Sequence, residues 1–435
     1  MADEKVRARR VREAVRALRH RNYRIYFSGM FVSFTGTWMQ SVAQGWLIYR
    51  LTGSAWLLGL VGFASQVPVF LLAPLGGVMA DRHSRHRIII ITQTVAMFQA
   101  VALAALTMGG VVTVNAVFAL AVLLGIVNAF DLPTRQSFMV ELVGKDDLMN
   151  AIALNSSMIQ GSRVLGPALA GLLVGWLGEG PCFLINAISY LAVLAGLFAI
   201  RVSRDHTGST DGTALSHLRE GFDYVRHTRA VRALLLLVAF VSIFGLPYIV
   251  LMPIFASEVL RGGPRALGVL LGAAGTGALA GALTLAARRH VQGLGRVVAL
   301  SVAALGSSLI LFSMSRSLII STVLLVPVGF SLLLQMSASN SLVQTMVPDR
   351  MRGRLMSFYA MSLMGMAPFG SLIAGAAASR IGAPWTVAAG GTLCVAASVL
   401  FWWRLPSLSR EALPILIPQG AMAGEPAETG TVQQG

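Results

Sequence analysis

Three charged residues stand where a charge is expensive. Asp131, Arg135 and Arg163 fall inside long apolar runs of a 435-residue chain. Hydrocarbon cannot hydrate a charge, so such residues face water, a counter-charge or a transported solute. Arg163 lies roughly 21 Å along its run at 1.5 Å per residue. That depth suits the wall of a cavity, or pairing with backbone carbonyls at a helix contact. Asn128, Asp131 and Arg135 are three and four residues apart, hence on one helical face. Asp131 can serve a charged latch near one membrane surface, or carry a proton as the most clearly embedded carboxylate. Neutral polar residues form a second pattern. Ser33, Thr37, Gln40 and Gln44 recur every three or four residues, which draws a polar stripe along one helix. The stripe can line a cavity or hydrogen-bond to a neighbouring helix. Asn155, Gln335 and Asn340 are further pathway candidates. Trp38 with Phe34, and Phe240, Phe244 and Tyr248, recur at intervals of four, for stacking on an amphipathic solute or for ordinary packing.

The elements that must position these residues are membrane helices. The chain is 55% hydrophobic and 12% charged, against about 25% charged in an ordinary soluble domain. Twelve spans of about twenty residues can be drawn, near 25–49, 56–80, 88–110, 115–138, 149–177, 181–201, 231–256, 265–287, 296–314, 317–345, 352–379 and 384–403. The reading is an all-α membrane protein in two six-helix bundles, 25–201 and 231–403. Residues 1–24 form a basic N-terminus, 202–230 a charged central loop and 404–435 a disordered tail. Between the second and third spans lies a dense polar knot, Gly77-Val-Met-Ala-Asp81-Arg82-His83-Ser84-Arg85-His86-Arg87. Its charges place it at the membrane surface, with Gly77 allowing two helices to approach.

The net charge of +16 first suggests nucleic acid, but its distribution follows topology. With these spans, 27 of the 34 Lys and Arg residues fall on one side and five (Arg50, Arg261, Arg265, Arg316, Arg380) on the other. The positive-inside rule then puts both termini and the central loop in the cytoplasm. No nucleic-acid partner is expected. The two cysteines, Cys182 and Cys394, lie far apart in apolar spans and read as packing residues. The seven histidines fall in or beside polar connections, so no metal site is expected. No G-x-x-x-x-G-K-[ST] loop occurs, no cofactor is implied, and paired mid-membrane catalytic groups are lacking, which argues against an enzyme.

The halves repeat. A shift of 204 residues places Gly77 on Gly281, Arg85 on Arg289, His86 on His290, Gly166–Gly171 on Gly370–Gly375, and Gly161 and Gly178 on Gly365 and Gly382. Asp81 falls on Leu285, so the first half alone keeps the full knot. A fixed offset across both regions indicates a duplicated six-helix unit.

With these features assembled, the chain resembles the major facilitator superfamily of transporters. The knot is similar to that family's loop between helices two and three, with Ser84 where the family prefers glycine. Gly161, Gly166, Pro167 and Gly171 resemble the Gly-Pro element of its exporters, with Ala170 for one glycine. Asp131-Leu-Pro133-Thr-Arg135-Gln136, Asn150 and Arg163 resemble the bacterial branch that holds the enterobactin exporter and related drug and secretion effluxers. The resemblance implies two bundles rocking around a central cavity. It also implies a latch of Gly77, Asp81, Arg82 and Arg85 against the start of span eleven; Asp131 is expected to complete it by holding Arg85 from the other side, with Arg135 on the same helical face. The implied activity is proton-coupled export of a small amphipathic molecule by a monomer in the bacterial inner membrane. Import, facilitated passage or a membrane sensor are the alternatives.

Overall fold

The computed structural model describes residues 16–200, 214–286 and 293–416. The expectations for residues 1–15, 201–213 and 417–435, and the repeat positions Arg289 and His290, lie outside the described residues. The first half contains α1 (Arg21–Thr52), α2 (Ala55–Arg82), α3 (Arg85–Met108), α4 (Val114–Val143), α5 (Leu148–Leu177) and α6 (Glu179–Ala199). A connecting helix, α7 (Ala214–His227), follows. The second half contains α8 (Arg229–Phe244), α9 (Tyr248–Ile254), α10 (Gly263–Ala286), α11 (Leu294–Met314), α12 (Leu318–Thr345), α13 (Asp349–Ala360), α14 (Ala367–Ile381) and α15 (Ala383–Leu416).

Among the described residues, eleven helical segments are long and apolar enough to cross a membrane. The twelfth span is α1, at 32 residues the longest of the first half. It is less apolar because it carries the polar stripe, whose residues face neighbouring helices or the interior cavity. Two spans that read as continuous are broken. The seventh turns at Gly245–Pro247 before α9 and closes with a π turn at Phe255–Val259. The eleventh is interrupted by a π turn at Met361–Gly365 ahead of Pro368. Proline lacks the N–H that the helical ladder needs, so a local change of winding beside it is the usual outcome.

Two segments differ from the sequence reading. The central break contains α7, which Tyr224 ties to α12 by donating to the Met346 carbonyl at 3.1 Å. The expected disordered tail begins too early at 404, because α15 continues to Leu416. Leu405 packs on Gly295 and Leu408 is buried, so apolar contact carries this helix past the membrane span.

Within the first half, α2 packs on α4, and α6 on α1 and α3. Within the second, α10 packs on α12, and α11 on α12 and α15. The halves join through α5 against α10 and α2 against α14. The sequence repeat reappears in the backbone. Gly178 ends α5 at φ +82° and Gly382 ends α14 at φ +83°, a conformation that a side chain would oppose.

Candidate functional site

A cavity of about 470 Å³ lies between the halves. Its walls come from α1, α2, α4 and α5 on one side and α9, α10 and α12 on the other. Its polar wall residues include Thr37, Trp38, Gln44, Gln66, Asn128 and Arg163 from the first half and Tyr248 from the second. The Arg163 guanidinium stacks over the Trp38 ring, 5.3 Å from its centroid. Pro167, one turn beyond Arg163, also lines the cavity. Gly166 lets α5 lie against Thr35, Trp38 and Met39 of α1. The Gly-Pro element therefore presses the α5 backbone onto α1 and sets the height of Arg163 against Trp38.

The α1 stripe divides. Thr37 and Gln44 reach the cavity. Gln40 touches its wall, but its amide donates to Gln99 Oε1 at 3.0 Å and accepts from Asn186 Nδ2 at 2.8 Å. Gln40 thus ties α1 to α3 and α6. Ser33 is buried away from the cavity, one turn below Thr37, which donates to its carbonyl at 2.9 Å. Asn155, Gln335 and Asn340 do not line it. Gln335 is fully buried and donates to Ser339 Oγ, while Asn340 accepts from Gln344 one turn away. Asn155 and Asn340 lie about two turns along their helices from the wall residues Arg163 and Leu333. Sequence reasoning missed Gln66, whose signal was a lone amide in the apolar second span.

Asp131 is also outside the cavity, buried between α3 and α4. Thr92 Oγ1 and Gln93 Nε2 donate to its Oδ1 at 2.7 and 3.1 Å. Arg135 Nε lies 2.6 Å from its Oδ2, a charge contact outside hydrogen-bond alignment. The Arg135 guanidinium also covers the Phe34 ring at 4.7 Å. The pair is therefore self-compensated, with Thr92 and Gln93 bonded to the acid and the Phe34 ring under the arginine. This corrects the expected contact with Arg85. The acid on Arg85 is Glu141, at 2.9 Å, with Asp81 at 3.6 Å. Asp131 sits nearly three turns before Glu141 on α4, too far into the membrane to meet the loop. Glu141 went unnoticed in the sequence, although it shares the basic surface with Arg85.

In the knot, the close-packed glycine is Gly76 and not Gly77. A Cβ on Gly76 would collide with the Ala129 carbonyl, whereas one on Gly77 would meet nothing within 4 Å. Arg82 is exposed. Across the bundle end, Arg354 of α13 pairs with Glu220 of α7. Arg16 and His20 both engage Asp147, whose carboxyl is held below its usual range first by the His20 hydrogen bond and then by Arg16. None of these ion pairs joins one bundle to the other.

The opposite end is closed across the halves. Gly171 of α5 lies against Gly268 of α10, and Gly59 of α2 against Gly375 of α14. Gly171 and Gly375 are partners under the 204-residue shift, so each repeat contributes the same contact. Tyr49 donates to Glu258 Oε1 at 2.9 Å and Arg265 stacks on Trp176, both across the halves. Arg50 grips Glu179 with two bonds of 2.7 and 3.1 Å and steadies α1 on α6. Gly161 is in looser contact with Phe31.

Two repeated helical bundles, a cavity at their interface, and contacts across the halves at one end define a polytopic membrane transporter. The family described as transmembrane secretion effectors matches residues 13–423, and the chain belongs to it, within the efflux branch of the major facilitator superfamily. It is 25% identical over 381 residues to the staphyloferrin A transporter of Staphylococcus aureus, covering 87% of this chain and 95% of that protein. It is 25% identical to the multidrug efflux pump Tap of Mycolicibacterium fortuitum, with 80% and 87% covered. For the enterobactin exporter EntS of Shigella boydii the identity is 25%, with 82% and 85% covered. The fold is similar to that of a bacterial homologue of the human lysosomal transporter Spinster, solved inward-facing and unoccupied. There the TM-score is 0.70 at 17% identity, over 91% of this chain and 97% of that one.

Proposed function

We propose that the chain is a proton-coupled exporter of a small amphipathic molecule (a drug, siderophore or secondary metabolite) acting as a monomer in the bacterial inner membrane. The observation that carries the reading is Arg163 stacked on Trp38 in a cavity at the interface of two repeated bundles. The efflux relatives favour export over import. Proton coupling is favoured because the sequence offers no nucleotide-binding loop to drive transport. In this reading the basic end is cytoplasmic and the glycine contacts form the closed outer gate. The conformation is then inward-facing. Closure of the inner end would bring Gly77, Asp81 and Arg85 against the start of α13, where an acid is stabilised by the helix N-terminus.

Uptake of candidate solutes into inverted vesicles, with and without a pH gradient, tests the activity. Arg163→Ala should lower gradient-driven uptake at least tenfold at unchanged protein level. Wild-type rates in that variant would remove Arg163 from the pathway. The topology has its own test. Val111 is 64% exposed in the α3–α4 turn and Lys145 is exposed in the α4–α5 turn. In intact cells an impermeant thiol reagent should label Val111→Cys and spare Lys145→Cys. The native Cys182 and Cys394 are buried and give little background. The reverse labelling would invert the orientation.

A further inference from the structure

We infer that the central cavity selects organic anions: amphipathic molecules with a carboxylate or similar acidic group, anchored by Arg163. The inference rests on the transporter reading and adds the charge of the substrate.

Four arginines elsewhere in the bundle have an acid partner. Arg50 has Glu179, Arg85 has Glu141, Arg135 has Asp131, and Arg354 has Glu220. Among the described residues, Arg163 is paired with no carboxylate and no hydrogen-bond acceptor; its guanidinium stacks on the Trp38 face. The described cavity wall contains no Asp or Glu at all. Its other polar side chains, among them Thr37, Gln44, Gln66, Asn128 and Tyr248, are all neutral. The buried acid of α4, Asp131, lies outside the wall and is already matched by Arg135.

An uncompensated guanidinium deep in a membrane bundle is costly and pulls a counter-charge toward itself. Its planar fork matches a carboxylate in two hydrogen bonds. The stack on Trp38 fixes the plane of that fork and covers the ring face that would otherwise attract a cation. Much of the remaining wall is aliphatic, including Leu58, Val61, Val69, Leu271 and Leu332. One acidic head on an apolar body therefore satisfies both parts of the cavity. A cationic solute meets a like charge at Arg163 and finds no acid on the described wall.

The test uses three pyrene probes on one scaffold: 4-(1-pyrenyl)butyrate, its methyl ester, and 1-pyrenemethylammonium. Saturable energy transfer from tryptophan is measured on the full chain in lipid nanodiscs. The native protein should bind the carboxylate at least tenfold more tightly than the ammonium probe. Arg163→Gln should weaken the carboxylate at least tenfold and leave the ester within twofold. Arg163→Lys should keep the anion preference, which separates lost charge from lost folding. An ammonium preference in the native protein, absence of saturable carboxylate binding, or an unchanged carboxylate affinity in Arg163→Gln each overturns the inference. Uptake of the same probes into inverted vesicles separates the two readings. Anion-selective binding with no gradient-driven uptake sinks the transporter reading and leaves the cavity anion-selective. Uptake without charge preference does the reverse.

Discussion

Leucine in place of Gly171 should abolish transport, with a loss of at least a hundredfold in vesicle uptake. The reason is contact between backbones. A Cβ at Gly171 would lie 2.6 Å from Gly268 Cα and 3.0 Å from its nitrogen. No side chain can rotate away there, so α5 and α10 must separate. Small residues are what allow membrane helices to come this close, because van der Waals packing drives their association. Gly375→Leu should fail in the same way, since its Cβ would lie 2.8 Å from Gly59 Cα. Both variants should hold the outer gate open. A cysteine introduced at Gln44, on the cavity wall, should then react with an impermeant reagent from outside. Gly272→Ala on the same α10 is the control, because its Cβ would meet Ala168 Cβ at 4.0 Å. Wild-type uptake in Gly171→Leu, with Gln44→Cys still protected, would show that this contact is not the gate.

Asp131→Asn should lower transport at least tenfold and leave its dependence on the pH gradient intact. The substitution keeps the shape of the side chain and removes the charge opposite Arg135. An unmatched arginine would remain between α3 and α4, at a cost of about 3–5 kcal/mol for breaking a buried pair. Pairing Asp131→Asn with Arg135→Gln should recover thermal stability and much of the rate, because no lone charge is left. A double-variant cycle reads that coupling directly. The competing role, proton carrier, predicts a different signature: solute exchange intact, gradient dependence gone, and no rescue by Arg135→Gln. Three features favour the structural pair. Asp131 is 2% exposed, it is absent from the cavity wall, and Thr92, Gln93 and Arg135 already occupy its two oxygens.

Much of the architecture was legible in the chain because a bilayer permits few solutions. Backbone groups must be satisfied within each segment, so apolar runs of sufficient length become helices. Apolar length marks eleven of the spans, α1 being the more polar twelfth, and lysine and arginine counts supplied the expected orientation. Glycines at a constant offset revealed the duplication. Arg163 stood out for the same reason: a charge at that depth requires a use.

Tertiary structure decided which polar face meets which neighbour. Ser33, Thr37, Gln40 and Gln44 share a stripe, yet Gln40 ties α1 to α3 and α6 and Gln44 faces the cavity. Helical periodicity specifies a face and not what lies opposite it. Asp131 and Glu141 are both acids on α4, and the rise of that helix, together with the position of α3, gives Arg135 the first and Arg85 the second. The close approaches were hidden too. Gly76 and Gly77 are adjacent in sequence, but only Gly76 meets a backbone carbonyl. A step of one residue turns a helix through about 100°, so neighbouring glycines face different surroundings, and the packing of the bundle determines which contact forms.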